Sequence, residues 1–308
     1  MNNQINIVIV CYNCGEDILL ALEDIRNGDL STGNLNIIVV DNSSSDNSVE
    51  LLKAYNGIEL NIISSPDNLG FGRGCNLALP HLKHGKTLFL NPDVRLEKDS
   101  IANLISFSEE NPAAKIWGGQ TVNAQGVIDG QNAWREPTLS GVVSWSFFGD
   151  ILLKKLGKRI PDAYTPDEIA SSPYVDSISG CFLLIDTGLL QKLAGFDERF
   201  FMYSEEVDLC RRARELGAKP MSTSSAVIMH EGSKTITSQN KLNFLYHSKL
   251  KYIKKYWHPL SFLVARLSLF FAAVLRGCIY TLLSFNKRHR AEAGVWWKFC
   301  KQQLSWKI

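Results

Sequence analysis

Asp93 is the one carboxylate of the segment Leu88-Phe89-Leu90-Asn91-Pro92-Asp93-Val94, where an apolar run gives way to a short polar stretch. Short apolar runs closed by a turn signal read as buried strands. Pro92 cannot donate to a central ladder, so the strand should end near Asn91. Asp93 is then presented at the carboxyl end of a strand, where open α/β sheets bind ligands. A carboxylate there can hold a divalent cation, and the cation can hold a phosphate. The same residues also suit a proline or Asx turn with a solvated aspartate.

Four further groups carry potential chemistry. Asp41 closes the apolar stretch Leu35–Val40, where its carboxylate can accept from a base N–H or a ribose hydroxyl; an Asx turn through Asp46 is the plainer alternative. Asn68-Leu69-Gly70-Phe71-Gly72-Arg73-Gly74 allows close backbone approach to a ligand, with Arg73 in reach of a diphosphate, or else forms a turn feeding a helix. It does not match GxGxxG, and no Gly-rich turn follows the first strand, which disfavours a dinucleotide oxidoreductase. Glu205-Glu206-Val207-Asp208 puts three acids at a helix start. They suit the helix dipole, and Asp208 can pair with Arg212; adjacent carboxylates also raise one another's pKa, which makes a usable base. His230 ends the short apolar strand Val227–Met229, as a satisfied polar group or as a metal ligand beside Asp93.

Elements to position these residues are legible in the first ninety residues. Strands are expected at Ile5–Val10, Leu35–Val40, Ile58–Ile63 and up to Asn91, with helices at 16–26, from about Asp46 to Tyr55, and after the Gly-rich turn. This alternation predicts a mainly parallel sheet covered on both faces. Residues 129–175, rich in Trp, Pro, Ser and Gly, read as a long excursion or lid with a short basic helix near 150–159. A strand is expected over Ser179–Ile185, then an aromatic loop over Gly195–Tyr203 and a helix over Glu205–Leu216.

The chain has 308 residues and a net charge of +2, which conceals a split. Residues 241–308 hold 13 Lys/Arg and a single acid, Glu292, while the first 240 hold 20 Lys/Arg and 30 Asp/Glu. The tail therefore expects an anionic partner. Leu260–Phe285 is apolar, but Arg266 and Arg276 leave uncharged stretches too short to span a bilayer. Flanking lysines and four tryptophans favour helices lying in an anionic membrane surface over a helical core extension. Nucleic acid is disfavoured by the apolar content. No signal peptide is read at the N-terminus, and the seven cysteines lack a paired framework, so they read as reduced thiols in a cytoplasmic protein without structural zinc.

Taken in order, Ile7–Asn13, Val39-Val40-Asp41-Asn42 with Asp46, Asn68–Asn76, Phe89–Val94 and Gly180–Leu216 with its GFDERFFMYSEEVDL core resemble the family-two inverting glycosyltransferases. The resemblance covers residues 5 to about 235 and is nearest the rhamnosyltransferase-like branch of bacterial surface polysaccharide synthesis. It implies a GT-A fold, an α/β architecture with a mixed, mainly parallel sheet flanked by helices. Residues 1–240 would be the transferase domain, 1–115 binding the nucleotide-sugar and 116–240 the acceptor, with 241–308 a helical membrane-associating extension.

The resemblance also implies roles. Val10, Tyr12, Asp41, Arg73 and Asn91 would contact the donor nucleotide. Asp93 would be the last acid of the DxD motif and His230 would complete the shell of Mg²⁺ or Mn²⁺. Glu206, beside Glu205, would be the catalytic base. Trp134, Tyr203 and Asp208 would face the acceptor. Asn91 replaces the first Asp of DxD, and Glu206 replaces the usual Asp. The implied reaction is inverting transfer, in O-antigen or related synthesis, of L-rhamnose from a dTDP donor to a lipid-linked glycan at the cytoplasmic face of the inner membrane. UDP-hexose or galactofuranose donors, and a non-catalytic nucleotide- or glycan-binding pseudoenzyme, are the alternatives.

Overall fold

The computed structural model describes residues 4–29, 35–128, 130, 132–156, 164–230, 237–306 and 308. Residues 231–233 of the His230 segment and the end of the basic helix candidate near 150–159 lie outside this set.

In chain order the elements are β1 (Gln4–Cys11), α1 (Asp17–Asn27), β2 (Leu35–Asp41), α2 (Ser48–Ala54), β3 (Leu60–Ser64), α3 (Phe71–Leu77), β4 (Gly85–Leu90), β5 (Val94–Leu96) and α4 (Ser100–Glu110). Next come β6 (Ile116–Val122), β7 (Ala133–Trp134), α5 (Leu139–Ser146), α6 (Gly149–Lys155), α7 (Pro166–Ser171), β8 (Ser177–Ile178), β9 (Phe182–Asp186), α8 (Thr187–Lys192), α9 (Glu205–Glu215) and β10 (Met221–His230). Three long helices complete the order: α10 (Ser238–Tyr256), α11 (Pro259–Leu282) and α12 (Lys287–Ser305).

The chain packs as two compact units. The first comprises Met1–Arg135, Ala163–Phe201 and Glu205–Thr235. Its main sheet has the order β3-β2-β1-β4-β9-β6-β10-β5. Strands β1 to β4 pair parallel, as does β10 with β6. Strand β9 runs antiparallel between β4 and β6, and β5 antiparallel on β10. The first half is thus the expected parallel array and the second half is mixed. Alternate side chains of each strand enter opposite cores. Ile5, Ile7 and Ile9 of β1 pack with Ile18, Leu22 and Ile25 of α1 and Leu104 of α4. Val8 and Val10 face the other way, with Cys75 of α3, Leu190 of α8 and Leu209 of α9. Burial on both faces explains why these strands read as continuous apolar runs.

The structure adds elements to one expectation and overturns another. The 129–175 excursion contains α6, where the short basic helix is expected, and also α5, α7 and β7, whose partner β8 follows just beyond it. Thr138 caps α5 through Gly141 N, and Thr165 with Glu168 forms a capping box on α7. Cys11 and Cys14 are joined as a disulfide instead of standing as two thiols, while the other five cysteines keep the expected thiol form. Asn13, in the left-handed region at φ 50°, turns the chain between the paired cysteines.

The second unit comprises Glu136–Asp162, Met202–Ser204 and Ile236–Ile308. Its core joins Val142 of α5 to Tyr246 and Leu250 of α10, Leu269 of α11 and Phe299 of α12. Helix α11 runs unbroken through both arginines. By length and composition it is one helix that could cross a membrane, with a mean hydropathy of 1.9 in its most apolar window, 39% of which is buried. Arg276 does not interrupt it because its guanidinium is taken inward, over the rings of Trp145 and Phe148, donating to the carbonyls of Trp145 and Ser146. Leu260, Leu263, Leu267, Phe271 and Leu275 form an exposed apolar stripe.

Candidate active site

The carboxyl ends of β1, β2 and β4 lie on one edge of the sheet, since these strands are parallel and in register to Cys11, Asp41 and Leu90. Asp41 is the last residue of β2. It is almost fully buried, and its Oδ1 accepts from Ser44 N, three residues on, at 3.1 Å, which fixes the turn after β2. Val10 forms a buried wall beneath Gly74 of α3, where a Cβ would come within 2.9 Å of it. Tyr12 is exposed, between the two bridged cysteines.

Asn42 fixes the Gly-rich turn. Buried next to Asp41, it donates to Gly70 O and Asn68 Oδ1, both at 3.1 Å, and accepts from Leu69 N at 2.9 Å. Gly70 has φ 80°, and a Cβ there would lie 1.8 Å from Phe201 O, so only glycine fits. Phe71 N donates to the same carbonyl at 3.0 Å. Arg73 projects half-exposed from α3, its Nε 3.9 Å from Glu198 Oε2; an exposed pairing of this length costs little to exchange for a ligand phosphate.

The segment after β4 meets His230 through backbone pairing. β5 lies antiparallel on β10 with Val94 opposite His230, which brings the residue before Val94 alongside the histidine. His230 Nε2 is 3.5 Å from Asp93 Oδ1 and 3.5 Å from Asn91 Nδ2. Asn91 is anchored by its N–H on Cys181 O at 3.2 Å. The carboxylate and imidazole suit one divalent cation: two ligands at roughly 2.1 Å from a shared ion stand about 3 Å apart. Asn91 can add its oxygen once its amide turns. Among the described residues no three His, Cys, Asp or Glu side chains cluster, so water or a ligand phosphate must complete such a shell.

The acids head α9. Glu205 is buried against the α3 glycines: a Cβ on Gly72 would meet its Cβ at 3.3 Å. Glu206 is partly buried, and its Oε2 is enclosed without a hydrogen-bond partner. Burial raises its carboxyl to about 7. The neighbouring Cys210 thiol is also pushed up by burial, to about 12. Asp208 has no exposed side-chain surface. It accepts from Arg212 Nε at 2.7 Å, and Arg212 also donates to Leu193 O and Gly195 O at 2.9 Å. That carboxylate is a brace for the aromatic loop and presents no atom to an acceptor, contrary to the role expected of it.

Asn76 grips Phe196 of that loop, its Oδ1 accepting from Phe196 N and its Nδ2 donating to Phe196 O, both at 2.8 Å. The Phe196 ring packs edge-on against Phe71 and Phe89. Trp134 sits in β7, its carbonyl accepting from Ser177 Oγ at 3.0 Å. Tyr203 is left-handed at φ 67° and belongs to the helical unit. Asn76 is missed from sequence, and of Arg212 only the pairing with Asp208 is readable; nothing in their local pattern signals the distant carbonyls of Phe196, Leu193 and Gly195 as partners.

A half-parallel, half-mixed sheet with a cation-competent pair and acids along one edge defines a GT-A-type glycosyltransferase architecture. The model of glycosyl transferase family 2 matches residues 6–169, more than half of the chain, and the protein belongs to that family. It is 28% identical over 218 residues to the low-salt glycan biosynthesis hexosyltransferase Agl10 of Haloferax volcanii, covering 70% of this chain but 62% of that one. It is 28% identical to the rhamnosyltransferase WbbL of Escherichia coli K12, covering 69% of this chain and 78% of that one. It is 25% identical to the N-acetylglucosaminyl-diphospho-decaprenol L-rhamnosyltransferase of Mycobacterium tuberculosis, covering 82% and 84%. Two solved structures share the fold. The Pyrobaculum calidifontis mannosyltransferase PcManGT with GDP-Man and Mn²⁺ has a TM-score of 0.60 at 13% identity, over 98% of this chain and 86% of that one. S. aureus TarS 1–349 with UDP has 0.52 at 17%, over 86% and 69%.

Proposed function

We propose that the protein transfers a sugar, with inversion, from a nucleotide-sugar to a hydroxyl of a lipid-linked glycan, and that the sugar is L-rhamnose from a dTDP donor. The observation that carries the chemistry is Glu206, whose enclosed Oε2 and carboxyl near 7 suit a base at neutral pH. Rhamnose and the lipid-linked acceptor rest on the relatives' names, and a UDP-hexose donor is the alternative within the fold.

Asp41 receives the base, and Arg73 approaches the diphosphate. A divalent cation held by Asp93 and His230 would supply neutralisation of the charge growing on the leaving diphosphate. The acceptor oxygen attacks the anomeric carbon opposite the diphosphate. The new C–O bond forms as the sugar–phosphate bond breaks, the bonding pair leaves with the nucleoside diphosphate, and the acceptor proton passes to Glu206. Trp134 and Tyr203 are assigned to the acceptor. Residues 1–240 do this chemistry, and 241–308, basic and with an apolar stripe on α11, bind an anionic membrane surface from the cytoplasmic side. The test is a panel of dTDP-, UDP- and GDP-sugars with Mn²⁺ and a polyprenyl-diphosphate-linked acceptor. Release of nucleoside diphosphate with a product of inverted anomeric configuration supports the reading. Retained configuration, or binding without turnover on every donor, contradicts it.

A further inference from the structure

We propose that Ser248 of α10 is a positioning residue for Glu206, acting through the carbonyl of Met202; this rests on the reading of Glu206 as the base. Ser248 is buried, and its Oγ donates to Met202 O at 2.7 Å. A mid-helix serine commonly returns its hydroxyl to the carbonyl one turn back. Here it goes to a residue 46 positions earlier.

The two residues after Met202 give that bond its weight. Tyr203 and Ser204 are both left-handed, at φ 67° and 68°, and neither is glycine. Such a residue persists only where its surroundings enforce the conformation. This pair sets the direction in which the chain leaves Ser204, and α9 begins at the next residue with Glu205 and Glu206. The preceding carbonyl, Phe201 O, is held by Phe71 N. Two successive carbonyls are therefore pinned just before the backbone turns. Ser248 is itself held firmly: Tyr246 and Leu250 lie in the helical core, and Tyr252 donates to Glu136 Oε1 at 2.7 Å. Helix α10 thereby contributes to catalysis as well as to anchoring, so its influence persists with acceptors that need no membrane.

The test uses the full chain with Ser248→Ala and Ser248→Thr. Wild type and variants are compared by donor and acceptor kinetics in detergent and by hydrogen exchange of amides 203–207. Ser248→Ala should lower kcat about tenfold and leave donor KM within about twofold, as expected for misplacement of a reacting group. Amides 203–207 should exchange faster, and Ser248→Thr, which keeps the hydroxyl, should restore both. Unchanged kcat and unchanged exchange in Ser248→Ala overturn the proposal, as does a loss confined to donor KM. Absence of turnover by wild type on every donor overturns the base reading instead, and the exchange comparison still decides whether Ser248 anchors the turn.

Discussion

Asp93 Oδ1 and His230 Nε2 lie 3.5 Å apart because a three-residue strand, β5, pairs with the end of β10. The contact joins the segment after β4 to the last strand of the sheet, and Asn91 is at the same distance from the histidine. A carboxylate and an imidazole so placed are a ready pair of ligands. With Asn91 in place of an acid, they are the main charged and nitrogen donors on which a cation can rely.

His230→Ala should therefore weaken Mn²⁺ activation by roughly 10- to 100-fold while leaving the fold intact, the usual scale for disturbing a metal site. Asp93→Asn should do at least as much. The measurement is the Mn²⁺ concentration giving half-maximal nucleoside diphosphate release; an unchanged value in both variants removes the pair from the metal site.

Glu206 ties activity and stability to pH in opposite senses. As a base it must be ionised, so kcat should fall as pH drops through about 7. For folding, a carboxyl raised from 4.5 to about 7 binds more protons folded than unfolded across that window, so its ionisation destabilises the fold as pH rises. Glu206→Gln should be more stable than wild type at pH 8 by about 1–3 kcal/mol, and the difference should vanish below pH about 4.5. Denaturant melts at the two pH values check this.

Asn42→Asp keeps the acceptor for Leu69 N but turns the donor that serves Gly70 O and Asn68 Oδ1 into a second acceptor. Donor KM should rise about fivefold or more, with a stability loss of about 1–3 kcal/mol from the buried mismatch. An unchanged donor KM would show that the Gly70 turn does not set donor affinity.

The proposed membrane face is tested on α11. Leu267→Glu with Phe271→Glu places two acids on its exposed stripe. Flotation with anionic liposomes should drop several-fold and activity on a soluble acceptor should persist. Undiminished flotation contradicts the surface assigned.

Most of the edge proposed to hold the donor was legible in the sequence because parallel strands buried on both faces write themselves as apolar runs with polar ends. Asp41 and Asp93 stand at those ends. Glu205 and Glu206 were visible as acids at a helix start, but the enclosure of Oε2 depends on packing that no local pattern reports. Asp208 was ambiguous between a brace and a ligand-facing acid, and the partner that decided it, Arg212, was already readable at i,i+4. The capping box of Thr165 and Glu168 was legible as T-x-x-E and would have ordered the excursion. The Cys11–Cys14 bridge was not, since a CxxC serves thiols, metals and disulfides alike. The Asn76–Phe196 and Ser248–Met202 contacts join distant segments and leave no periodic trace.

The most direct measurement is single-turnover nucleoside diphosphate release by Glu206→Gln, with donor binding measured in parallel by calorimetry. Donor affinity is expected within about twofold of wild type and release slowed by about 10²–10⁴-fold, the span of a lost general base. Release at the wild-type rate with donor bound would contradict the assignment of Glu206 as the base.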